Sequence, residues 1–472
     1  MNQTYFFYDL ETSGLNPRDH RIMQFAGIRT DKDLKPIGKP YNLLVKLSDD
    51  VLPSPDALMV TGISPQKTLD EGYSEAEFAK ILAEEVFIPG TITIGFNNVR
   101  FDDEFIRHLF WRNFHDAYEW SWKDGRSRWD ILDVVRMTRA LRPEGIKWPV
   151  DSEGKATNRL ELLTKENNLA HLKAHDALSD VEALIAVTAM IKDKQPQLFD
   201  YLLSMRDKKQ VQKLANLDNK QPFVYTSGRY DEKFAKTTVA FPLTAGRNSN
   251  LVVYDLRYDP TEFFDLSISE LEAKLFAPWE ERQKEGFVVL PVKEFKANQA
   301  PAIAPLSVLQ KDDGWERVGL TSEIVAKHQK ALMSRPDFAE KIRTIYENAE
   351  PFKKQAHVEG QLYDGFLTDK DRKPMLDIRS AGGEKLADFH PNFVDERLSK
   401  LLLHYKARNF PKSLSQTEVQ EWEDWRSQRI KEQWPEFLKG LQKYSGQELS
   451  EDKAFILEEL KLWAENVMPS DD

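Results

Sequence analysis

Near the amino terminus the chain reads YFFYDLETSGLNP, residues 5–17. Asp9 and Glu11 close an aromatic run of strand character, and residues two apart on a strand share a face, about 6–7 Å from one another. Two carboxylates so placed repel each other and lose hydration at the edge of an apolar sheet. Something positive has to compensate them. Two further stretches carry the same chemistry: NNVRFDDEF sets Asp102 just beyond the strand-like TITIGF, and AHDALSDVEAL sets His175 five residues before Asp180. Five residues on a continuous helix turn through about 500°, which leaves two side chains about 140° apart. His175 and Asp180 therefore share a site only if His175 lies in a loop and Asp180 in the first turn that follows. Asp176 permits this by capping a helix that begins around Ala177.

Four convergent carboxylates offer hard oxygen ligands and a large negative charge, which two divalent cations, Mg2+ or in its place Mn2+, would offset. Two such ions about 3.5–4 Å apart stabilise both the attacking and the leaving oxygen of a phosphodiester displacement. Asp9 is placed to bridge them, Glu11 and Asp180 to complete one site, and Asp102 to serve the other. His175, with a reference pKa of about 6.5, can take a proton from the attacking water at neutral pH. Each residue alone has a plainer reading. Asp9 and Glu11 could end a strand beside a basic partner, His175 could be a surface histidine, Asp102 a helix cap, and Asp180 a first-turn acid favoured by the helix dipole. Their joint occurrence in this order favours the site.

The elements that must position these groups follow from periodicity. YFFYDLE, IMQFAGIRT and YNLLVKL read as three consecutive strands. YSEAEFAKILAEEVF has helical spacing with Ser74 as N-cap, TITIGF is a short buried strand, and a helix is expected from about Asp102 to Arg112. WDILDVVRMTRAL, RLELLTKENN and ALSDVEALIAVTAMI supply further helices, so residues 1–195 predict an α/β domain with a mixed sheet. Residues 196–349 change character: PFVYTSGRY, TTVAFPLT, NLVVYDLRY and FVVLPVKEF predict a small barrel or sandwich. Residues 352–472 read as charged amphipathic helices, joined through NAEPFKKQAHVEG.

With 472 residues, two or three domains are expected. The absence of cysteine removes disulfides, thiolate metal sites and cysteine nucleophiles together, and suits a reducing cytoplasm. MNQTYFFYDLET lacks the pattern of a signal peptide, and no apolar run approaches the roughly 18 residues of a membrane span. A cytoplasmic protein with no membrane association is expected. The net charge of −11 means that any attraction for nucleic acid must come from a local groove.

The ordered set Asp9, Glu11, Asp102, His175 and Asp180 resembles the DEDDh exonucleases, named for their four acids and one histidine. YDLET, LPSPDALMVTGISPQ, GFNNVRFDDEF, SRWDILDV, ALRPEGI, RLELLT, AHDALSDV, LYDGF and YKARNFP resemble bacterial exonuclease I along essentially the whole chain. That resemblance implies a ribonuclease-H-like exonuclease domain, an SH3-like β-barrel and an all-helical carboxyl-terminal domain. It also implies a magnesium-dependent 3′→5′ exonuclease that acts on single-stranded DNA in repair and recombination, releasing 5′-mononucleotides, and a monomer. The alternatives are an RNA-trimming or proofreading exonuclease with the same five residues, or a non-catalytic single-strand-binding protein.

Trp111, Trp120, Trp122, Trp129 and Trp148 crowd one stretch, interleaved with Tyr118, Arg126, Arg128, Arg136, Arg139 and Arg142 and preceded by Arg107. Aromatic faces alternating with cations suit single-stranded nucleic acid, although Trp129 in RWDILDVV reads as core. By matching to the family, Arg159 is expected near the terminal nucleotide, and Arg107, Tyr118, Trp122 and Arg136 along the strand. The family also docks the acidic, hydrophobic tail of single-stranded-DNA-binding protein. Arg142 and Tyr201 match positions of that contact, whereas Gln310 stands where relatives carry a basic residue.

Overall fold

The computed structural model of the chain describes residues 3–169, 176–350 and 353–469. Two compact units emerge, one of residues 1–128, 171–185 and 353–472, the other of residues 129–170 and 186–352.

The first unit is built on a sheet of strands β1 (Thr4–Thr12), β2 (Ile22–Thr30), β3 (Tyr41–Leu44), β4 (Thr91–Gly95) and β5 (Ser127–Asp130), in the order β3-β2-β1-β4-β5. β1 pairs antiparallel with β2, which sets Asp9 opposite Ala26 and Glu11 opposite Gln24, and it pairs parallel with β4. The mixed sheet is therefore as expected. Alternation along β1 divides its residues between two faces. Phe6, Tyr8 and Leu10 enter a cluster with Phe25, Phe78, Phe105 and Leu109, which leaves Asp9 and Glu11 on the opposite face. The parallel β1–β4 pair brings two strand ends to the same edge, and the connection after β4 leads into the helix Asp102–Arg112. Strand ends of this kind are where α/β sheets hold ligands.

Local sequence explains the helix starts. Ser74 accepts a hydrogen bond from the Glu77 N–H, Glu77 reaches back to Ser74, and this capping box opens the helix Glu75–Ile81. Asp176 accepts from the Ser179 N–H at 3.1 Å, so the helix Ala177–Lys194 begins where its cap dictates and carries Asp180 in its first turn.

The carboxyl-terminal helices pack within the same unit, Glu396–Asn409, Gln416–Gln442 and Glu451–Val467 among them. Ile430, Phe437, Leu460 and Trp463 share a core with Met23, Leu58 and Met59. Beside that core lies a buried ionic cluster that no local pattern announces. Arg408 grips Asp50 with two bonds of 3.0 and 2.8 Å and also pairs with Glu359. Arg21 reaches Glu359 at 2.5 Å and Asp50 at 3.2 Å, while Arg112 clasps Glu75 at 2.7 and 3.1 Å. Three arginines balance three acids, and His404 Nδ1 lies 3.0 Å from Glu359. Burial opposes ionisation, yet Arg408 and Arg21 hold Asp50 and Glu359 well below the usual carboxylate range.

In the second unit, β6 (Phe223–Thr226), β7 (Thr237–Ala245), β8 (Leu251–Asp255), β9 (Val292–Phe295) and β10 (Ile303–Pro305) form an antiparallel sheet in the order β10-β6-β7-β8-β9. Alongside these strands, helices Ser322–Ser334 and Pro336–Asn348 close this region. Their buried residues, Val325, His328 and Leu332, then Phe338, Ile342 and Ile345, recur at helical spacing. Of FVVLPVKEF only Val292–Phe295 is strand.

Removing one partner of the ionic cluster strands the others in a dry interior. Glu359→Gln is expected to lower the stability to urea by about 3–5 kcal/mol. A loss below about 1 kcal/mol would show that the arginines find other partners at no cost. Because these acids are held low, their contribution is complete above about pH 4.5 and fades as acid protonates them.

Candidate active site

Asp9, Glu11 and Asp180 each direct a carboxylate oxygen into one space, and the three oxygens lie within 4.8 Å of one another. Two come from the end of β1 and the third from the first turn of Ala177–Lys194. Asp102, 4% exposed at the first position of its own helix, stands close enough for its charge to act on Glu11. His175 lies outside the described residues.

The electrostatics of Asp9 and Glu11 are those of buried acids set beside other acids. Burial, followed by the charge of Asp180, pushes the Asp9 carboxyl up to about 8. Glu11 is pushed to about 9 by burial and then by Asp9, Asp180, Asp102 and Asp176, all of them acids. Three carboxylates at this separation make a donor set that fits a hard divalent cation. Lone-pair oxygens are the ligands Mg2+ and Mn2+ take, and no soft ligand stands in the group.

The expected strand contacts fall into different settings. Trp122 is 63% exposed. Arg107 donates to Glu104 at 2.6 Å and lies 5.5 Å above the Tyr118 ring. Sequence reasoning missed what holds this arginine: Tyr363, from the LYDGF stretch, donates to Glu104 at 2.5 Å and accepts from Arg107 at 3.3 Å. The quoted LYDGF was the available signal. Trp111, Trp120 and Trp129 are buried at 1–5% exposure, so most of the tryptophan-rich stretch is core and not a stacking surface. Trp111 and Trp120 donate their indole N–H groups to the carbonyls of Val358 and Ala117.

In the second unit, Arg136 pairs with Asp133 at 2.7 Å, and Arg159 pairs with Glu161 while its side chain stays 64% exposed. Arg142 donates to the Val308 carbonyl at 3.2–3.3 Å, on the turn Leu306–Gln310 that ends in Gln310. Tyr201 packs beside the core formed by Met205, Val211 and Phe223, and burial raises its hydroxyl to about 12.

Three family descriptions match successive segments: Exonuclease over residues 6–188, Exonuclease I SH3-like domain over 206–348, and Exonuclease I C-terminal domain over 356–467. The chain is 40% identical to exodeoxyribonuclease I of Haemophilus influenzae over 442 residues, 93% of each chain. The chain belongs to the exonuclease I family. Membership makes it a nuclease, a hydrolase of phosphodiester bonds. Among solved structures, E. coli exonuclease I in complex with a dA16 oligonucleotide superposes with a TM-score of 0.93 at 37% identity, covering 99% of this chain and 100% of that one. The zinc-ion-bound form of the E. coli exonuclease I–single-stranded DNA complex gives 0.92 at 36% identity, with the same coverage. The family's architecture agrees with the mixed sheet of the first unit and the helical carboxyl-terminal region. No helix among the described residues is long and apolar enough to cross a membrane.

A cation that occupies this acid cluster must displace protons from Asp9 and Glu11. Without it, carboxyls whose pKa is raised by folding lose stability as pH climbs from about 4 through about 8 and 9. The gain in melting temperature on adding Mg2+ is therefore expected to grow between about pH 6 and pH 9. A gain that is flat with pH would mean the acids are already ionised without the ion.

Proposed function

We propose that this chain degrades single-stranded DNA from the 3′ end, releasing 5′-mononucleotides, with two Mg2+ ions held by Asp9, Glu11, Asp102 and Asp180. The convergence of Asp9, Glu11 and Asp180 within 4.8 Å carries this reading. When bound, such ions would stabilise the charge that develops on the attacking and leaving oxygens of the phosphodiester. Everything else falls to the chain. Asp9 and Glu11 are held by the β1–β2 ladder, opposite Ala26 and Gln24, so the acids are set before substrate arrives. His175, five residues before Asp180, takes the proton of the attacking water.

Strand binding in this reading uses Trp122 as a stacking face and Arg107 as a phosphate donor. Tyr363 and Glu104 keep the Arg107 guanidinium oriented above Tyr118. Arg136 contacts the strand, and Arg159, exposed beside its partner Glu161, the terminal nucleotide. Segments 1–195, 196–349 and 352–472 act as the exonuclease, SH3-like and helical domains. Arg142 and Tyr201 receive the acidic tail of single-stranded-DNA-binding protein, with Gln310 making that contact less basic than in relatives. The setting is the cytoplasm, in DNA repair and recombination, and the working form is a monomer. Mn2+ substitutes for Mg2+.

End-labelled DNA and RNA strands of both polarities, with and without Mg2+, test the activity. Stepwise loss from the 3′ end of DNA, dependent on Mg2+, is expected, and Asp9→Ala or Asp180→Ala should abolish it while strand binding persists. Near-normal turnover in either variant would refute the ligand assignment. Trp122→Ala should weaken binding of an oligonucleotide by about 1–3 kcal/mol. Unchanged affinity would remove Trp122 from the strand path.

A further inference from the structure

Behind the acid cluster lies a second set of polar groups, buried in the aromatic core. Tyr8 precedes Asp9, and Asp103 follows Asp102. Both are 0% exposed, and the Tyr8 hydroxyl donates to Asp103 Oδ1 at 2.5 Å across 95 residues of chain. Asn98 Nδ2 donates to the same oxygen at 3.3 Å, and Arg128 donates to Oδ2 at 2.6 Å. Asn98 fits because residue 95 is glycine: a Cβ there would fall 2.4 Å from the Asn98 Cβ. The Tyr8 hydroxyl keeps its proton, since burial and the charges of Asp103 and Asp102 all oppose its ionisation.

A polar group in this place is costly unless it is fully bonded, and a phenylalanine would suit the surrounding ring of Phe6, Phe25, Phe78 and Phe105. What the bond does is geometric. Alternate residues of a strand point to opposite faces, so tying Tyr8 on one face fixes the height and tilt of Asp9 on the other. At its far end the bond holds the first turn of Asp102–Arg112, where Asp102 is the adjacent residue. A single hydrogen bond thus joins the immediate neighbours of two acids that come from separate elements.

We propose that Tyr8 and Asp103 are positioning residues that set the distance between Asp9 and Asp102, with Asn98 and Arg128 orienting the Asp103 carboxylate. This rests on the reading of Asp9, Glu11, Asp102 and Asp180 as cation ligands. Groups that support metal ligands from behind change metal affinity by about 10–100-fold when they are removed, and small displacements of reacting groups have similar effects on rate.

Tyr8→Phe deletes one oxygen and keeps the ring. Mn2+ binding, followed through the electron paramagnetic resonance of the free ion without DNA, is expected to weaken about 10-fold. The kcat should fall by about 10-fold or more with KM for an oligonucleotide unchanged, and raised Mn2+ should restore part of it. Oligonucleotide binding in a chelator should equal that of the unaltered protein, which verifies the fold. Asn98→Ala withdraws the other donor to the same oxygen and should shift Mn2+ affinity in the same direction. If Tyr8→Phe melts below the assay temperature, Asn98→Ala decides. Unaltered Mn2+ affinity and kcat in a folded variant would overturn the proposal and leave the pair a purely structural contact. Asp9→Ala in the same titration separates the two ideas. Mn2+ affinity kept in Asp9→Ala sinks the ligand reading itself, whereas affinity lost there but kept in Tyr8→Phe sinks the positioning role alone.

Discussion

Like charges held close together away from water are the constraint around which the first unit is organised. Asp9 and Glu11 share one face of β1, and Asp180 is brought to them by a helix more than 160 residues further along the chain. A folded chain gains nothing from gathering acids in this way, because each carboxylate raises the cost of ionising the next. The arrangement persists because the ladder of β1 with β2 sets Asp9 and Glu11, and the Asp176 cap sets the start of the Asp180 helix. The misfit is local, and a cation of high charge density relieves it.

The same unit treats another set of buried acids in the opposite way. Asp50, Glu75 and Glu359 are buried, yet their carboxyls are held low because Arg21, Arg112 and Arg408 stand against them. Asp9 and Glu11 are held high, and the charges that act on them belong to other acids. Residue type alone does not distinguish the two groups. The direction in which each carboxyl is displaced does, and it separates acids neutralised by the fold from acids left for something the fold does not supply.

The aromatic stretch from Trp111 to Trp148 teaches a related lesson. Tryptophan alternating with arginine has the composition of a stacking surface, but Trp111, Trp120 and Trp129 are walls of the core, and Arg128 neutralises Asp103. Trp122 is the exposed ring of that group. Tyr363 reaches Arg107 and Glu104 from more than 250 residues away. Arg107 is thus held by the helical carboxyl-terminal region as well as by its own helix.

Local patterns determined a good deal. Alternation along β1 placed Asp9 and Glu11 on one face, Ser74 and Asp176 marked helix starts through the carboxylate and hydroxyl groups that accept their N–H bonds, and the helix from Asp102 to Arg112 was legible in its spacing. The β-branched strands of the second unit were legible too, but they drew attention from the helical spacing of Val325, His328 and Leu332 beside them. Only the tertiary structure decided that Arg21 meets Glu359 across 338 residues, or that Tyr8 meets Asp103. Periodicity and capping are properties of a few neighbouring residues, whereas a buried ion pair or hydrogen bond depends on which distant elements the packing of the core brings together, and no short window of sequence contains that information.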